Sequence, residues 1–310
     1  MHSLLNRLAA PVLCVGLSAW DQIWRVESLP QGSGKLRASE YRDGGGGMAA
    51  TAAVAVARLG GRSAFWGRGG DDNAGRAMHT ELAGLGVDVS AFRLFEGARS
   101  SVSGVVVDAA GERSIVNFRG TGLPDDAGWL PLEQARQAAA VLADPRWPAG
   151  ALAALRAART AGRPTVLDGD VADPEVFDAL LPWVDCAVFS EPGLAGYAPG
   201  APGDEARLRF ALQRGCRLAA VTRGEHGVLW THGGALHHQP AFAVEVVDTT
   251  GAGDVFHGAF ALALGAGAAV AEAFRFSAAV AALKCRRPGG RDGIPDLGAV
   301  LAFLQASKES

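Results

Sequence analysis

From Ala138 onward the chain alternates between two kinds of segment. Short apolar runs at Ala139–Leu142, Thr165–Leu167, Cys186–Phe189 and Leu218–Val221 are separated by stretches of helix length. Short uncharged runs read as strands buried on both faces. Strand–helix–strand repetition predicts an α/β fold: a doubly wound, mostly parallel sheet flanked by helices. Pro11–Leu17, ending near Gly16, adds a first buried strand. A chain of 310 residues is long enough for one large α/β domain or two smaller ones, and with 49% of its residues hydrophobic it has the apolar material for a sizeable core.

Two segments break the parallel pattern. Trp20–Val26 and Lys35–Tyr41 flank the turn Pro30-Gln31-Gly32-Ser33-Gly34, and Val102–Val107 and Arg113–Phe118 flank Ala109-Ala110-Gly111. Both read as hairpins outside the main sheet. They predict a small β-sheet lid, from about 19–43 and 99–119, over the C-terminal edge of the strands, where ligands bind in such folds.

Val246–Phe260 reads VVDTTGAGDVFHGAF. A strand-like end meets a small-residue turn and then an apolar helix. The turn lets the amides of Gly251, Ala252 and Gly253 converge at a helix N-terminus, which suits an anion. Asp254 follows immediately, and an anion cradle beside a carboxylate is a layout for phosphoryl transfer to a hydroxyl. An ordinary capped turn is the bland alternative, but it needs neither two glycines nor two threonines. Thr249 and Thr250 are either structural or oxygen donors to a cation. Gly34-Lys35 is not a P-loop, because Leu36 stands where Ser or Thr is required.

The formal charge of −3 provides no basic field for nucleic acid. Cys14, Cys186, Cys216 and Cys285 are too widely spaced to suggest a zinc site or a disulfide frame. No basic, apolar leader precedes the first strand, and Glu272 and Arg275 break the alanine-rich stretch Ala259–Leu283. These features predict a soluble, cytoplasmic protein with no membrane partner. The polar tail after Gln305 is expected to fray.

The segment DTTGAGDVFHGAF resembles the C-terminal signature of the ribokinase-like (PfkB) carbohydrate kinases. Gly45-Gly46-Gly47-Met48, opening an apolar helix through Leu59, resembles that family's di-glycine helix start, and Gly67–Gly75 its G-x-D-x-x-G element. The resemblance spans essentially the whole chain. It implies one kinase domain over 1–310, ATP and Mg²⁺ as cofactors, and a homodimer paired through the lid. A monovalent cation such as K⁺ is a further candidate. It makes Asp254 the general base, the Gly251–Gly253 turn the anion hole, and Asp21, Gly46 and Gly47 sugar contacts. Asp21 could otherwise be an exposed hairpin acid. Ala50 replaces an asparagine of the family. Thr222-Arg223-Gly224-Glu225-His226-Gly227 resembles the ATP loop, which gives Thr222, Gly224 and Gly227 to the nucleotide together with Gly253, Ala279 and Lys284. The N-x-x-E that helps organise Mg²⁺ is missing, since Ser190 and Gly193 hold those places; Glu191 is the candidate replacement.

Within the family, Leu142–Trp147, Thr165–Asp170, Ser190–Ala195 and Leu283–Arg291 resemble the bacterial 6-deoxy-6-sulfofructose kinases. That likeness implies phosphorylation of the substrate's C1 hydroxyl and a sulfonate held by Lys35, Asn117 and Arg146. Two cations and an amide suit a monoanion with three acceptor oxygens. Lys35 and Arg146 read alone would be surface charges. Ketohexokinase or fructokinase, a fructose-phosphate kinase, and a non-catalytic nucleotide- or sugar-binding protein are the alternatives.

Overall fold

The computed structural model describes residues 9–110 and 112–307. Gly111 in the second hairpin turn, the tail Lys308–Ser310 and the segment before Ala9 lie outside the described residues. The strands are β1 Val12–Gly16, β2 Ala19–Arg25, β3 Glu40–Gly46, β4 Ser63–Gly70, β5 Val87–Phe95, β6 Val102–Val107, β7 Arg113–Phe118, β8 Ala140–Ala143, β9 Thr165–Gly169, β10 Cys186–Ser190, β11 Leu218–Thr222, β12 Val228–His232 and β13 Ala235–Gln239. The helices are α1 Met48–Arg58, α2 Asn73–Gly84, α3 Leu132–Gln137, α4 Pro148–Thr160, α5 Pro174–Leu180, α6 Glu191–Tyr197, α7 Gly203–Gln213, α8 Ala252–Gly265, α9 Val270–Cys285 and α10 Leu297–Ala306.

The main sheet has the order β13-β12-β11-β10-β9-β8-β1-β4-β5. Neighbours from β11 to β5 pair in parallel, and β12 and β13 join by antiparallel pairings. Chain order runs outward on both sides of the β1–β8 pair. A crevice therefore opens beyond the C-terminal ends of these two strands. Both strands are buried throughout, consistent with helices covering each face. One face packs α1, α8 and α9, with Phe260 stacked on Phe274 at 4.4 Å. The other packs α3–α7 around Trp66, Trp147 and Phe189.

Helix α1 reads MAATAAVAVAR, and Ala49 through Val56 are all buried. Its small side chains let α8 approach closely. A Cβ on Gly258 of α8 would lie 2.4 Å from the Ala52 carbonyl oxygen, so only glycine permits this crossing. The crossing brings the N-termini of α1 and α8 side by side at the crevice.

The lid is a second sheet of order β3-β2-β6-β7, with β2 and β6 parallel and two antiparallel hairpins. The second hairpin begins and ends where the apolar runs indicate. The first does not: its second strand starts at Glu40 rather than Lys35 and continues through Gly44-Gly45-Gly46. Glycines are poor strand formers by propensity, but β2 supplies a continuous ladder from Ala19↔Gly46 to Arg25↔Glu40. Strands β4, β5, β12 and β13 were not evident from apolar patterning; β4 ends in the glycine- and arginine-containing run WGRGG.

Candidate active site

The site forms where the lid meets the crevice. Gly45, Gly46 and Gly47 lead into α1, and each lacks a side chain for a steric reason. A Cβ on Gly46 would sit 2.1 Å from Asp21 Oδ2, and one on Gly45 would sit 1.9 Å from Arg291 Nη1. Gly47, with φ of 91°, caps α1 without a side-chain hydrogen bond. Arg291 is almost fully buried. It donates to the Gly46 carbonyl at 2.7 Å and pairs with Glu81 Oε2 at 2.9 Å. Asp21 lies over Gly46 with its carboxyl pKa raised by burial, an effect that Ser103 and Arg291 oppose. An acid held against a glycine backbone at a cleft mouth is well placed to accept hydrogen bonds from sugar hydroxyls.

The missing helix cap comes from across the sheet. Asp144, just beyond β8, is fully buried and accepts from Leu17 N at 2.7 Å, Ala49 N at 3.1 Å and Arg146 N at 2.8 Å. It satisfies a first-turn amide of α1 and ties that helix to the end of β1.

Asp254 sits in the first turn of α8. Its carboxyl pKa is raised well above the usual range, first by burial and then by Asp168. Asp168 at the end of β9 is itself raised by burial and by neighbouring Asp144 and Asp170. His257, one turn after Asp254, has Nδ1 2.7 Å from the Gly253 carbonyl and 3.3 Å from Asp168 Oδ2, and Nε2 3.0 Å from the Val188 carbonyl. Burial lowers its pKa. Asp168 and His257 form a buried layer beneath the half-buried Asp254 at the N-terminal end of α8.

The turn before Asp254 differs in one respect from the three-amide cradle. The Ala252 N–H donates to the Thr249 carbonyl at 3.2 Å and closes the turn. Gly251 and Gly253 keep amides without an intramolecular acceptor, and the space in front of Gly253 is open. The cradle is therefore a pair of glycine amides at the helix N-terminus.

Other sequence-derived positions are less uniform. Thr222 ends β11, and Gly224–His226 form a single 3₁₀ turn leading to β12. Gly224 faces open space, whereas a Cβ on Gly227 would meet the Gln239 carbonyl at 2.1 Å, so Gly227 serves packing. Ala279 is fully buried within α9. Lys284 is also fully buried, its ammonium donating to the Asp248 carbonyl at 2.8 Å rather than facing a nucleotide cleft. Glu191 is the exposed first residue of α6. Among the described residues no three His, Cys, Asp or Glu side chains gather to hold a metal. Mg²⁺ is commonly held by one or two carboxylates together with nucleotide phosphates, which needs no such cluster.

The sulfonate trio is not gathered into one cluster of contacts. Asn117 lies on the cleft-facing side of the lid, in one row with Asp21 and Ser103, and donates to Ser103 Oγ at 3.2 Å. Arg146 pairs with Asp170 at 2.9 Å and donates to the Val171 carbonyl. Lys35 is exposed on the irregular connection before β3. Sequence reasoning missed Asp144, His257, Glu81 and Arg291 as parts of the site. An acid directly after a strand at the winding reversal was the available signal for Asp144; nothing local marks the others.

A carboxylate beside a helix-terminal amide pair, at a crevice covered by a β lid, suits phosphoryl transfer to an alcohol. The comparisons agree. The pfkB family carbohydrate kinase model matches residues 9–297, and the chain belongs to that family. The ATP-dependent ribose-1-phosphate kinase of Halopiger xanaduensis is 30% identical over 296 residues, covering 94% of this chain and 97% of that protein. A fructokinase from Klebsiella pneumoniae is 36% identical over 253 residues, covering 74% and 78%. Arabidopsis thaliana ribokinase, solved with ribose and ATP, superposes with a TM-score of 0.85 at 28% identity, covering 96% of this chain and 99% of that one. A solved structure from Agrobacterium tumefaciens superposes at 0.92 with 39% identity, covering 97% and 99%.

Proposed function

We propose that this carbohydrate kinase transfers the γ-phosphoryl group of ATP, brought in with Mg²⁺, to the C1 hydroxyl of a sugar carrying an anionic group at its far end. The candidate substrate is 6-deoxy-6-sulfofructose. The observation that carries the chemistry is Asp254 beside the free Gly251 and Gly253 amides at the α8 N-terminus. Asp254 accepts the proton of the attacking hydroxyl, and the two amides stabilise charge on the transferring group. Asp21 orients the sugar from the lid side, and Thr222 and Gly224 stand at the nucleotide side.

Support for an anionic substrate comes from the Asn117 amide on the cleft-facing side of the lid and from Arg146 just after β8. Arg146 keeps guanidinium hydrogens beyond those given to Asp170 and Val171. A fructokinase-like reading is favoured by that same ion pair, which a neutral sugar would leave intact. The two separate in kcat/KM for sulfofructose, fructose and fructose 6-phosphate. Native enzyme is expected to prefer sulfofructose, and Arg146→Ala to cost it about ten- to a hundredfold, the loss of one charge-assisted contact, with little change for fructose. Native preference for fructose, or an equal loss on all three sugars, would sink the sulfonate reading.

The lid supports pairing of two copies. Its strands alternate, so Ile23 and Val105 face the cleft while Trp20, Trp24 and Val102 face the other way. That second face also carries Tyr41, Val116 and Phe118, which are 52%, 75% and 42% exposed. Such a surface favours burial against a second lid. Light scattering is expected to give a dimer mass, and a monomer at micromolar concentration would overturn the pairing.

A further inference from the structure

The oxygens of Asp248, Thr249 and Thr250, directly before the catalytic turn, are the place where a monovalent cation could have bound. The structure fills it with protein cations. The Asp248 carbonyl accepts from Lys284 Nζ at 2.8 Å. Thr249 Oγ1 and Thr250 Oγ1 accept from the two terminal nitrogens of Arg113, each at 2.7 Å. Asp248 Oδ1 accepts from Thr250 N at 2.8 Å and Oδ2 from Gly289 N at 2.9 Å, with Arg42 3.9 Å from Oδ2. The Thr249 carbonyl is taken by Ala252 N. The Asp248 and Thr249 oxygens and the Thr250 hydroxyl thus each already have a donor, and the Asp248 carboxylate lies 3.9 Å from both Arg42 and Lys284, with Arg113 on the neighbouring threonines.

A bare alkali ion needs several oxygens at once and gains nothing from a surrounding that is already net positive. We propose that the Lys284 ammonium is a built-in cation that does the work of a bound K⁺ at this turn, so that the enzyme is independent of monovalent cations. Lys284 is 0% exposed, the last turn of α9 fixes it, and its butyl stem is buried against Gly293. Its bond to Asp248 adds to the backbone bonds from Val247 N and Asp248 N to the Cys285 carbonyl. Together these clamp the segment that presents the Gly251 and Gly253 amides. Lys284 is thus a positioning residue. Arg113 reaches the same turn from β7 of the lid.

The test uses whichever sugar gives the highest kcat/KM, so it rests on the kinase reading but not on the choice of sulfofructose. Native enzyme is assayed in KCl, NaCl and tetramethylammonium chloride at equal ionic strength, and its melting temperature is measured in the same salts without substrates. Both are expected to be the same in all three. Lys284→Ala, which opens the space, is expected to lose at least tenfold in kcat in tetramethylammonium chloride. K⁺, ammonium or methylammonium should restore part of that loss and raise its melting temperature. Severalfold activation or thermal stabilisation of native protein by K⁺ would overturn the proposal. So would native kcat for Lys284→Ala in tetramethylammonium chloride. The melting measurements need no turnover, so an inactive preparation does not mask the answer.

Discussion

Replacing Asp254 by asparagine is expected to lower kcat by roughly 10²–10⁴-fold, the usual contribution of a positioned general base. Sugar and nucleotide binding should stay near native, because the Gly251 and Gly253 amides and Asp21 are untouched. Thermal stability should not fall. Asp168 is buried and Asp254 half-buried, and Asp168 adds to the rise in the pKa of Asp254. Folded-state carboxyls with raised pKa values stabilise the fold below their unfolded value of 3.8 and lose that contribution as pH rises through the folded value. At neutral pH the pair is therefore a strain on the fold that asparagine removes. The same shift sets the pH profile. Asp254 acts as base only when ionised, so the acid limb of kcat/KM should lie above the ordinary carboxylate range. Asp168→Asn removes the neighbouring anion and should move that limb to lower pH. The two carboxyls titrate as a pair, so the limb reports both. Near-native kcat in Asp254→Asn would take the residue out of the mechanism, and an unmoved limb in Asp168→Asn would show that the pair is not coupled.

Patterning made the parallel sheet readable because buried strands and their helices are local, and each announces itself within a few residues. The start of α8 at the small-residue turn was readable for the same reason. Local propensity misplaced β3. Its glycines look like a turn, and only the ladder to β2 and the side chains of Asp21 and Arg291 make an extended glycine run necessary. Arg291 reaches Gly46 across 245 positions of chain, and Asp144 reaches Ala49 across 95. The place of Asp144 after a strand hints at a role but not at its partner, and a lone arginine carries no mark at all. In the sequence, Lys284 is only the end of a segment that the family resemblance gives to the nucleotide. Its burial against a backbone carbonyl is a tertiary fact, and it changes the role from ligand contact to clamp.

Gly46→Ala is expected to cut kcat/KM for the sugar by about a hundredfold while leaving nucleotide binding intact. The added Cβ would fall 2.1 Å from Asp21 Oδ2 and 2.8 Å from its Cγ. Neither the strand nor Arg291 can retreat easily, since Arg291 is buried and bonded to the Gly46 carbonyl. The flexible partner is the Asp21 carboxylate, which must swing away. It then loses its alignment with Ser103 and with the sugar hydroxyl, a charge-assisted contact of roughly 1.5–3 kcal/mol. Residual crowding adds about 1–3 kcal/mol, enough to lower the melting temperature by several degrees. Asp21→Ala should show the same loss of kcat/KM without the thermal cost. The double variant decides the cause. With the carboxylate gone the alanine at 46 has room, so the double variant should be no less active than Asp21→Ala alone and should recover most of the lost thermal stability. Additive losses in the double variant, or native kcat/KM in Gly46→Ala, would place the sugar away from Asp21 and leave the glycine run to Arg291 and backbone packing alone.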